Sequence, residues 1–189
     1  MSDSPLEELE NHEHAEHAQH AAHSGNKLMT WVSVTIAVLA VLSALVGSLE
    51  TIASGKALGE KNEGVLAQSK ASDQWAFFQA KSIKKNLYSL AADQGGPNAD
   101  RYKKSAKDNS DEEDKIQAEA KGFEKEREEH LKASETAEEQ HHKLTIAATL
   151  MHMGIAIATI AIITGKRWPW LSSVGLGVLG SVVAVIAYL

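Results

Sequence analysis

Residues 28–49 read LMTWVSVTIAVLAVLSALVGSL, a run without a single charged side chain. Two further charge-free runs occupy residues 144–164 and 170–189. Each has about 20 residues, which as an α-helix is enough to cross the roughly 30 Å of hydrocarbon in a bilayer. Residues 50–143 lie between the first two runs and are too polar to enter lipid. We therefore expect an all-α integral membrane protein with three transmembrane helices and one large extramembrane segment.

The composition excludes several classes of protein. The chain has 189 residues, a formal net charge of -6 and no cysteine. Because its basic residues have acidic neighbours, a nucleic-acid surface is not expected. Without cysteine there is neither a disulfide nor a thiolate metal site. The polar segment is rich in Ala, Glu, Lys and Gln, which favours long helices over a compact α/β domain.

Basic and aromatic residues predict the orientation of the spans. Lys27 and Trp31 mark the start of the first span, and the basic loop at residues 165–169 carries Lys166 and Arg167 beside tryptophans. Basic residues in short loops remain cytoplasmic, and tryptophan favours the membrane interface. We expect the N-terminus and this loop to face the cytoplasm of a bacterial inner membrane, with the polar segment outside. The opposite orientation stays open, because long segments are exempt from this rule.

The polar segment has its strongest break near its centre. Residues 94–98 read QGGPN, a turn signature of paired glycines and proline. Two nearly equal arms about such a turn predict a long antiparallel helical hairpin, a coiled-coil-like stalk. Folding the segment there places Trp75 opposite Ile116, and it places Lys81, Lys84 and Lys85 near the acidic residues 108–114.

A helical seam runs along the second arm of this hairpin. Positions spaced by three or four residues form the seam, and several of them are small or polar; they are Tyr102, Ala106, Asn109, Ile116, Ala120, Phe123, Ser134 and Ala137. The residues expected to pack the stalk are Trp75, Phe78, Ile116 and Phe123. Because the seam is weakly apolar, we expect it to need other subunits.

Two local features predict interruptions of the arms. Three glycines at positions 55, 59 and 64 follow the first span, and each costs about 1 kcal/mol relative to alanine in a helix. They predict a flexible or non-helical neck. Ser110 with Glu113 fits a capping box, which predicts that the second arm restarts near Asp111.

Residues 73–84 read DQWAFFQAKSIK. This stretch resembles the signature of the bacterial family known as domain of unknown function 4337. The layout is similar too, with a His/Glu-rich tail, an Ala-rich first span, a charged helical stretch and two closing spans around a basic loop. The resemblance implies a three-span bacterial membrane protein and brings no catalytic residue with it.

The N-terminal tail, residues 1–27, is the one candidate metal site. Its histidines alternate with glutamates, and neighbouring imidazoles could chelate Zn²⁺, Ni²⁺ or Cu²⁺; they are His12, His14, His17, His20 and His23. The alternative is a solvated, pH-sensitive amphipathic tail, which is favoured because the sequence shows no ordered groups to orient the ligands.

His152 lies in the middle of the second span between Met151 and Met153. An ionisable group in a membrane span is a functional hypothesis by default. The competing interpretation is a neutral imidazole hydrogen-bonded across a helix interface, for instance to Ser43 in the first span. We favour the structural role.

Small residues recur at helix-packing spacing in all three spans. In lipid, such stripes allow helix backbones to approach closely and associate by van der Waals contact. The residues expected at these contacts are Ala40, Ala44, Gly154, Ala158, Gly177 and Ser181.

Together these patterns predict a non-enzymatic membrane scaffold or accessory subunit that self-assembles through its spans and stalk. Its expected partners are lipid, copies of itself and a larger membrane complex. The alternative is an oligomeric channel, or a metal- or pH-responsive membrane protein that uses the histidine tail and His152. An enzyme is not favoured, because we find no nucleophile–base pair, no carboxylate dyad and no cofactor fingerprint.

Overall fold

The computed structural model describes residues 27–189. This part of the chain forms three helices, α1 (Lys27–Asp93), α2 (Ala99–Thr164) and α3 (Arg167–Ile186). It contains no β-strand. Over residues 27–189 the protein is therefore all-α with three long helices, as its sequence predicts.

Each helix contains a segment that is long and apolar enough to cross a membrane. Most of each apolar segment is exposed within the single chain, because only 33%, 39% and 22% of the three segments are buried. The apolar faces left open could therefore contact lipid or other helices.

The predicted neck after the first span is wrong. Helix α1 is continuous for 67 residues and passes through Gly55, Gly59 and Gly64 without a break. Gly64 is buried, and a Cβ built on it would lie 3.4 Å from Leu131 Cδ2 of α2. Each glycine costs about 1 kcal/mol of helix stability relative to alanine. This cost is outweighed, because helix stability in proteins comes mainly from packing and from the flanking helical turns.

The predicted restart of the second arm is also wrong, since α2 runs unbroken for 66 residues through Asp111. Glu113 does not cap a helix end. Its carboxylate is buried and bonds to Lys85 of α1. Glu113, which completes the capping-box pattern in the sequence, therefore forms a contact between the two helices instead of a helix cap.

The turn between α1 and α2 occupies the five residues 94–98. Gly95 and Gly96 have φ angles of 75° and 102°, in the left-handed region that glycine tolerates. The Gly95 N–H donates to Ala92 O at 3.1 Å, and the Ala99 N–H donates to Gly96 O at 3.2 Å. These bonds close α1 and open α2.

The basic loop is shorter than predicted. Only Gly165 and Lys166 lie between α2 and α3, so the remaining residues of 165–169 belong to the first turn of α3. Pro169 fits there because the first turn of a helix leaves its N–H groups without helical partners.

The described chain divides into two compact units. The first unit comprises residues 27–55 together with Thr136–Leu189. It has two apolar clusters, in which branched side chains of α1 pack on small residues of α2. The principal buried residues of these clusters are Val32, Ile36, Leu39, Val46, Leu144, Ala147, Met151, Ile155, Ala158 and Ala161.

The second unit, Lys56–Glu135, consists of the facing parts of α1 and α2. As residue numbers rise along α1, the numbers of their partners in α2 fall; the polar pairs are Glu60–His130, Gln68–Arg127, Trp75–Glu124 and Lys85–Glu113. The predicted seam is buried or half-buried at all its positions in this unit.

The Trp75 side chain bonds beyond the residue predicted to lie opposite it. Its indole Nε1 donates to Glu124 Oε1 at 2.9 Å, about two helical turns beyond Ile116. Helix side chains lean toward the N-terminus of their own helix. The Trp75 ring therefore leans toward the part of α1 that lies beside higher-numbered residues of α2.

Candidate functional site

A hydrogen bond joins α1 to α2 in the middle of the first unit. Ser43 Oγ lies 2.7 Å from His152 Nε2, and Ser43 is buried. Ser43 is the residue that we named from the sequence as a possible hydrogen-bond partner of His152. Met151 is buried whereas Met153 is exposed, so the two thioethers do not face one common site. This geometry is that of a polar clamp between helices.

A second polar contact lies at the end of the first apolar segment. Thr145 Oγ1 is 2.6 Å from Glu50 Oε1 and 3.0 Å from His141 O, and His141 Nδ1 lies 3.9 Å from the same Glu50 oxygen. This contact is not among those predicted from the sequence. Two sequence positions could have indicated this contact. Glu50 is the first charged residue after residues 28–49, and His141 lies just before residues 144–164.

Glycines allow close helix approach within the first unit. A Cβ at Gly154 would lie 3.2 Å from Ser173 O, and one at Gly180 would lie 2.9 Å from Ala147 O. A Cβ at Gly177 would overlap a methyl group of Leu39. Gly177 therefore faces α1 of its own chain.

The other predicted packing residues differ in how deeply they are buried. Ala158 is fully buried and Ala40 packs on the same apolar cluster, whereas Ala44 is exposed. Ser181 is half-buried, and its hydroxyl donates to Gly177 O at 2.9 Å, within its own helix.

An apolar groove of about 790 Å³ lies between α1 and α3. Trp31, Val38 and Val178 line it, and Trp170 closes part of it by donating from Nε1 to Thr35 Oγ1 at 2.9 Å. No titratable side chain lines this groove. It can hold hydrocarbon or another helix, but it offers no acid, base or metal ligand.

In the second unit, His130 and Glu60 form a half-buried pair, with Nδ1 and Oε2 2.8 Å apart. The hydrogen bond that His130 Nδ1 donates to the Glu60 carboxylate raises the pKa of His130, and the charges of Glu60, Glu126 and Glu63 act in the same direction while burial opposes them. Next to this pair, Ser134 Oγ donates to Ala57 O at 3.0 Å in a buried position.

Two lysines of α1 pair with the acidic stretch of α2, in the region that the sequence predicts. Lys85 bonds to the buried Glu113, and Lys81 bonds to the exposed Glu112. The Lys85 ammonium is the main reason that the pKa of Glu113 lies below its ordinary value, with burial opposing and Ser82 assisting. Lys81 lowers the pKa of Glu112 in the same way.

The predicted stalk-packing aromatics lie at the interface of the second unit. Trp75 and Phe78 meet edge to face, with ring centroids 5.5 Å apart and planes at 80°. The Lys70 ammonium lies 5.5 Å from the centroid of the Phe123 ring. Ile116 is buried, so all four predicted residues lie at or near the α1–α2 contact.

Among residues 27–189, no group of three or more His, Cys, Asp or Glu side chains is placed to hold a metal ion. The five histidines of the tail, at positions 12–23, lie outside the described residues. Metal binding by the tail therefore stays a prediction.

The polar side chains between the helices of residues 27–189 mainly bond to one another, and each of these three helices could cross a membrane. A family model described as "Domain of unknown function (DUF4337)" matches residues 28–189, and the chain belongs to that family. No curated protein matches the chain, and neither does any solved structure.

Proposed function

We propose that this protein is a non-enzymatic membrane scaffold or accessory subunit. The observation that carries the proposal is the contrast between the exposed surface of the first unit and that of α2 in the second unit. The first unit exposes large apolar side chains such as Val38, Ile163 and Val178, which in water would be unfavourable over so many positions. The second unit is held by ion pairs and hydrogen bonds, and its second arm exposes mainly charged and polar residues.

In this proposal the apolar parts of the three helices lie in the bilayer, and Lys56–Glu135 forms an antiparallel helical hairpin outside it. The opposite order of partners along α1 and α2 supports the hairpin. Inside the first unit, the Ser43–His152 bond satisfies polar groups that would otherwise be costly in hydrocarbon.

The position of the basic residues supports a cytoplasmic N-terminus. The Trp170 indole donates to Thr35, whose hydroxyl donates to Trp31 O, so both tryptophans lie near one end of the first unit. Lys27 and Lys166 lie near the same helix ends. A reporter active only in the periplasm should be on when fused at residue 96 and off when fused at residue 166. The reverse pattern would place the hairpin in the cytoplasm.

A scaffold role is also supported by the way the ionisable groups are used. His152 bonds to Ser43, His130 bonds to Glu60, and the apolar groove has no titratable lining. Catalysis needs an acid, base or nucleophile that is free to reach a substrate. These side chains are instead committed to holding helices together.

The proposal is tested by measuring mass and composition after gentle detergent extraction. One chain has a mass of 20.4 kDa. We expect a discrete multiple of this mass, or a stoichiometric complex with another membrane protein. If the protein is only monomeric and nothing co-purifies in several mild detergents, the scaffold proposal is wrong.

A further inference from the structure

One face of α1 in the second unit is apolar and has no partner within the described chain. Five large aliphatic residues on it are each between 58% and 65% exposed. This outer stripe comprises Leu58, Val65, Ala76, Ile83, Leu87 and Leu90. Asn62, Ser69, Ser72 and Ala80 continue the stripe between these residues, and the nearest charged side chains, such as Lys61 and Asp73, lie at its edges.

The outer stripe lies on the side of α1 that faces away from α2. The residues that face α2 include the buried Ala67, Ala71 and Ala92 and the half-buried Phe78. Successive helix residues are separated by about 100°, which places the two sets on opposite sides of α1. The contact between α1 and α2 therefore cannot account for the outer stripe.

We propose that the outer stripe docks against the same stripe of a second copy of this chain, with the two α1 helices parallel. The proposal rests on the membrane scaffold proposed above, because insertion in a single orientation gives every copy the same direction. Equivalent residues then meet across a two-fold axis, as Ile83 with Ile83 and Leu87 with Leu87, and the interface is self-complementary.

The residues beside the outer stripe suit a second copy. Parallel packing of heptads brings the flank of one helix against the opposite flank of the other. Gln79 would face the other copy's Lys84, and Asn86 would face the other copy's Ala91. These pairs contain no like charges, so nothing repels an identical partner, and they offer no charge pattern that would select a different one.

The second arm does not offer a comparable surface. Ala118 is exposed on α2, but Lys115, Glu119 and Lys121 surround it and are exposed as well. A helix face of this kind stays solvated. Ala118 is therefore a matched control for Ala76, because both are exposed alanines within a helix of the second unit.

The absence of cysteine allows a direct test by disulfide cross-linking of the full-length chain in native membranes. Single variants Ala76→Cys and Leu87→Cys should give disulfide-linked dimers under mild oxidation. Equivalent outer-stripe positions of two parallel helices come close enough for a disulfide. Ala118→Cys should give at least about fivefold less dimer. Equal yields at positions 76 and 118, no dimer at 76 and 87, or cross-links mainly to a different protein would each overturn the proposal.

A charged residue in the outer stripe separates this proposal from the scaffold proposal. Leu87→Glu changes an exposed position, so the helix content should be unchanged. In the double variant Ala76→Cys with Leu87→Glu, the yield of disulfide-linked dimer should be at least about fivefold lower than in Ala76→Cys alone. The Ala118→Glu substitution should leave that dimer intact. If the parent protein is multimeric by mass but the stripe does not cross-link, only the outer stripe is refuted; if the parent is monomeric without a partner, the scaffold proposal fails as well.

Discussion

Replacing Gly180 by alanine should weaken the helix packing of the first unit. A Cβ at this position would lie 2.9 Å from the backbone oxygen of Ala147 and 3.0 Å from Met151 Cγ. A backbone oxygen in the middle of α2 cannot rotate away, so α2 and α3 must separate.

The expected magnitude follows from two opposing terms. Overpacking a tight contact costs about 1–3 kcal/mol, and exchanging glycine for alanine in a helix returns about 1 kcal/mol. Because the contact is with backbone, we expect a net loss of about 1–2 kcal/mol for Gly180→Ala, a factor of roughly 5–30 in the ratio of folded to unfolded protein.

Two other glycines of α3 serve as controls. Nothing lies within 4 Å of a Cβ at Gly175, so Gly175→Ala should be neutral or stabilise by up to about 1 kcal/mol. At Gly177 the obstacle is the end of the Leu39 side chain, which can change rotamer. Gly177→Ala should therefore fall between the other two variants.

The assay is reversible unfolding of the purified protein in mixed micelles with increasing SDS, followed by circular dichroism and tryptophan fluorescence. The free energy of unfolding should decrease in the order Gly175→Ala, Gly177→Ala, Gly180→Ala. A Gly180→Ala protein as stable as Gly175→Ala would refute the close approach of α3 to Ala147.

Two further predictions concern the second unit. Glu60 raises the pKa of His130, so this pair stabilises the unit below the ordinary histidine pKa of about 6.5, and the contribution is lost as pH rises through the higher folded-state pKa. His130→Gln and Glu60→Gln should each flatten the change in thermal stability between about pH 6 and about pH 8, and an unchanged slope in both would contradict the pairing. Lys85→Met should destabilise the protein by about 1–3 kcal/mol, because it leaves the Glu113 carboxylate buried without its cation. Adding Glu113→Leu should restore most of that stability, and a double variant as unstable as the single one would argue against the ion pair.

The features that the sequence predicts well are those set by composition or by local periodicity. Charge-free runs identify the three apolar helices because charge is excluded from hydrocarbon whatever the tertiary structure. The paired Gly95 and Gly96 predict the turn because few other residues adopt positive φ. His152 and Ser43 could be paired because both lie deep in apolar runs, where a polar group needs a partner.

The features that sequence alone predicted wrongly depend on contacts between distant residues. Gly64 indicates a break by its propensity, yet packing against Leu131 keeps α1 helical there. The hydrogen bond from Trp75 to Glu124 was not predicted, because folding about a turn fixes which arms meet, whereas the lean of each side chain decides which residues touch.

The central claim is that the apolar helix segments lie in lipid while the hairpin lies in water. The chain has no cysteine, so this claim can be tested by labelling single-cysteine variants with a polar maleimide. The variants are Asn98→Cys and Val178→Cys, each in membrane vesicles that have been opened so that the reagent reaches both faces of the bilayer. Both residues are exposed in the single chain, so burial within the protein does not distinguish them. We predict rapid labelling at position 98 and none at position 178 until the membrane is dissolved in SDS. Equal labelling of the two positions in intact bilayers would contradict the account.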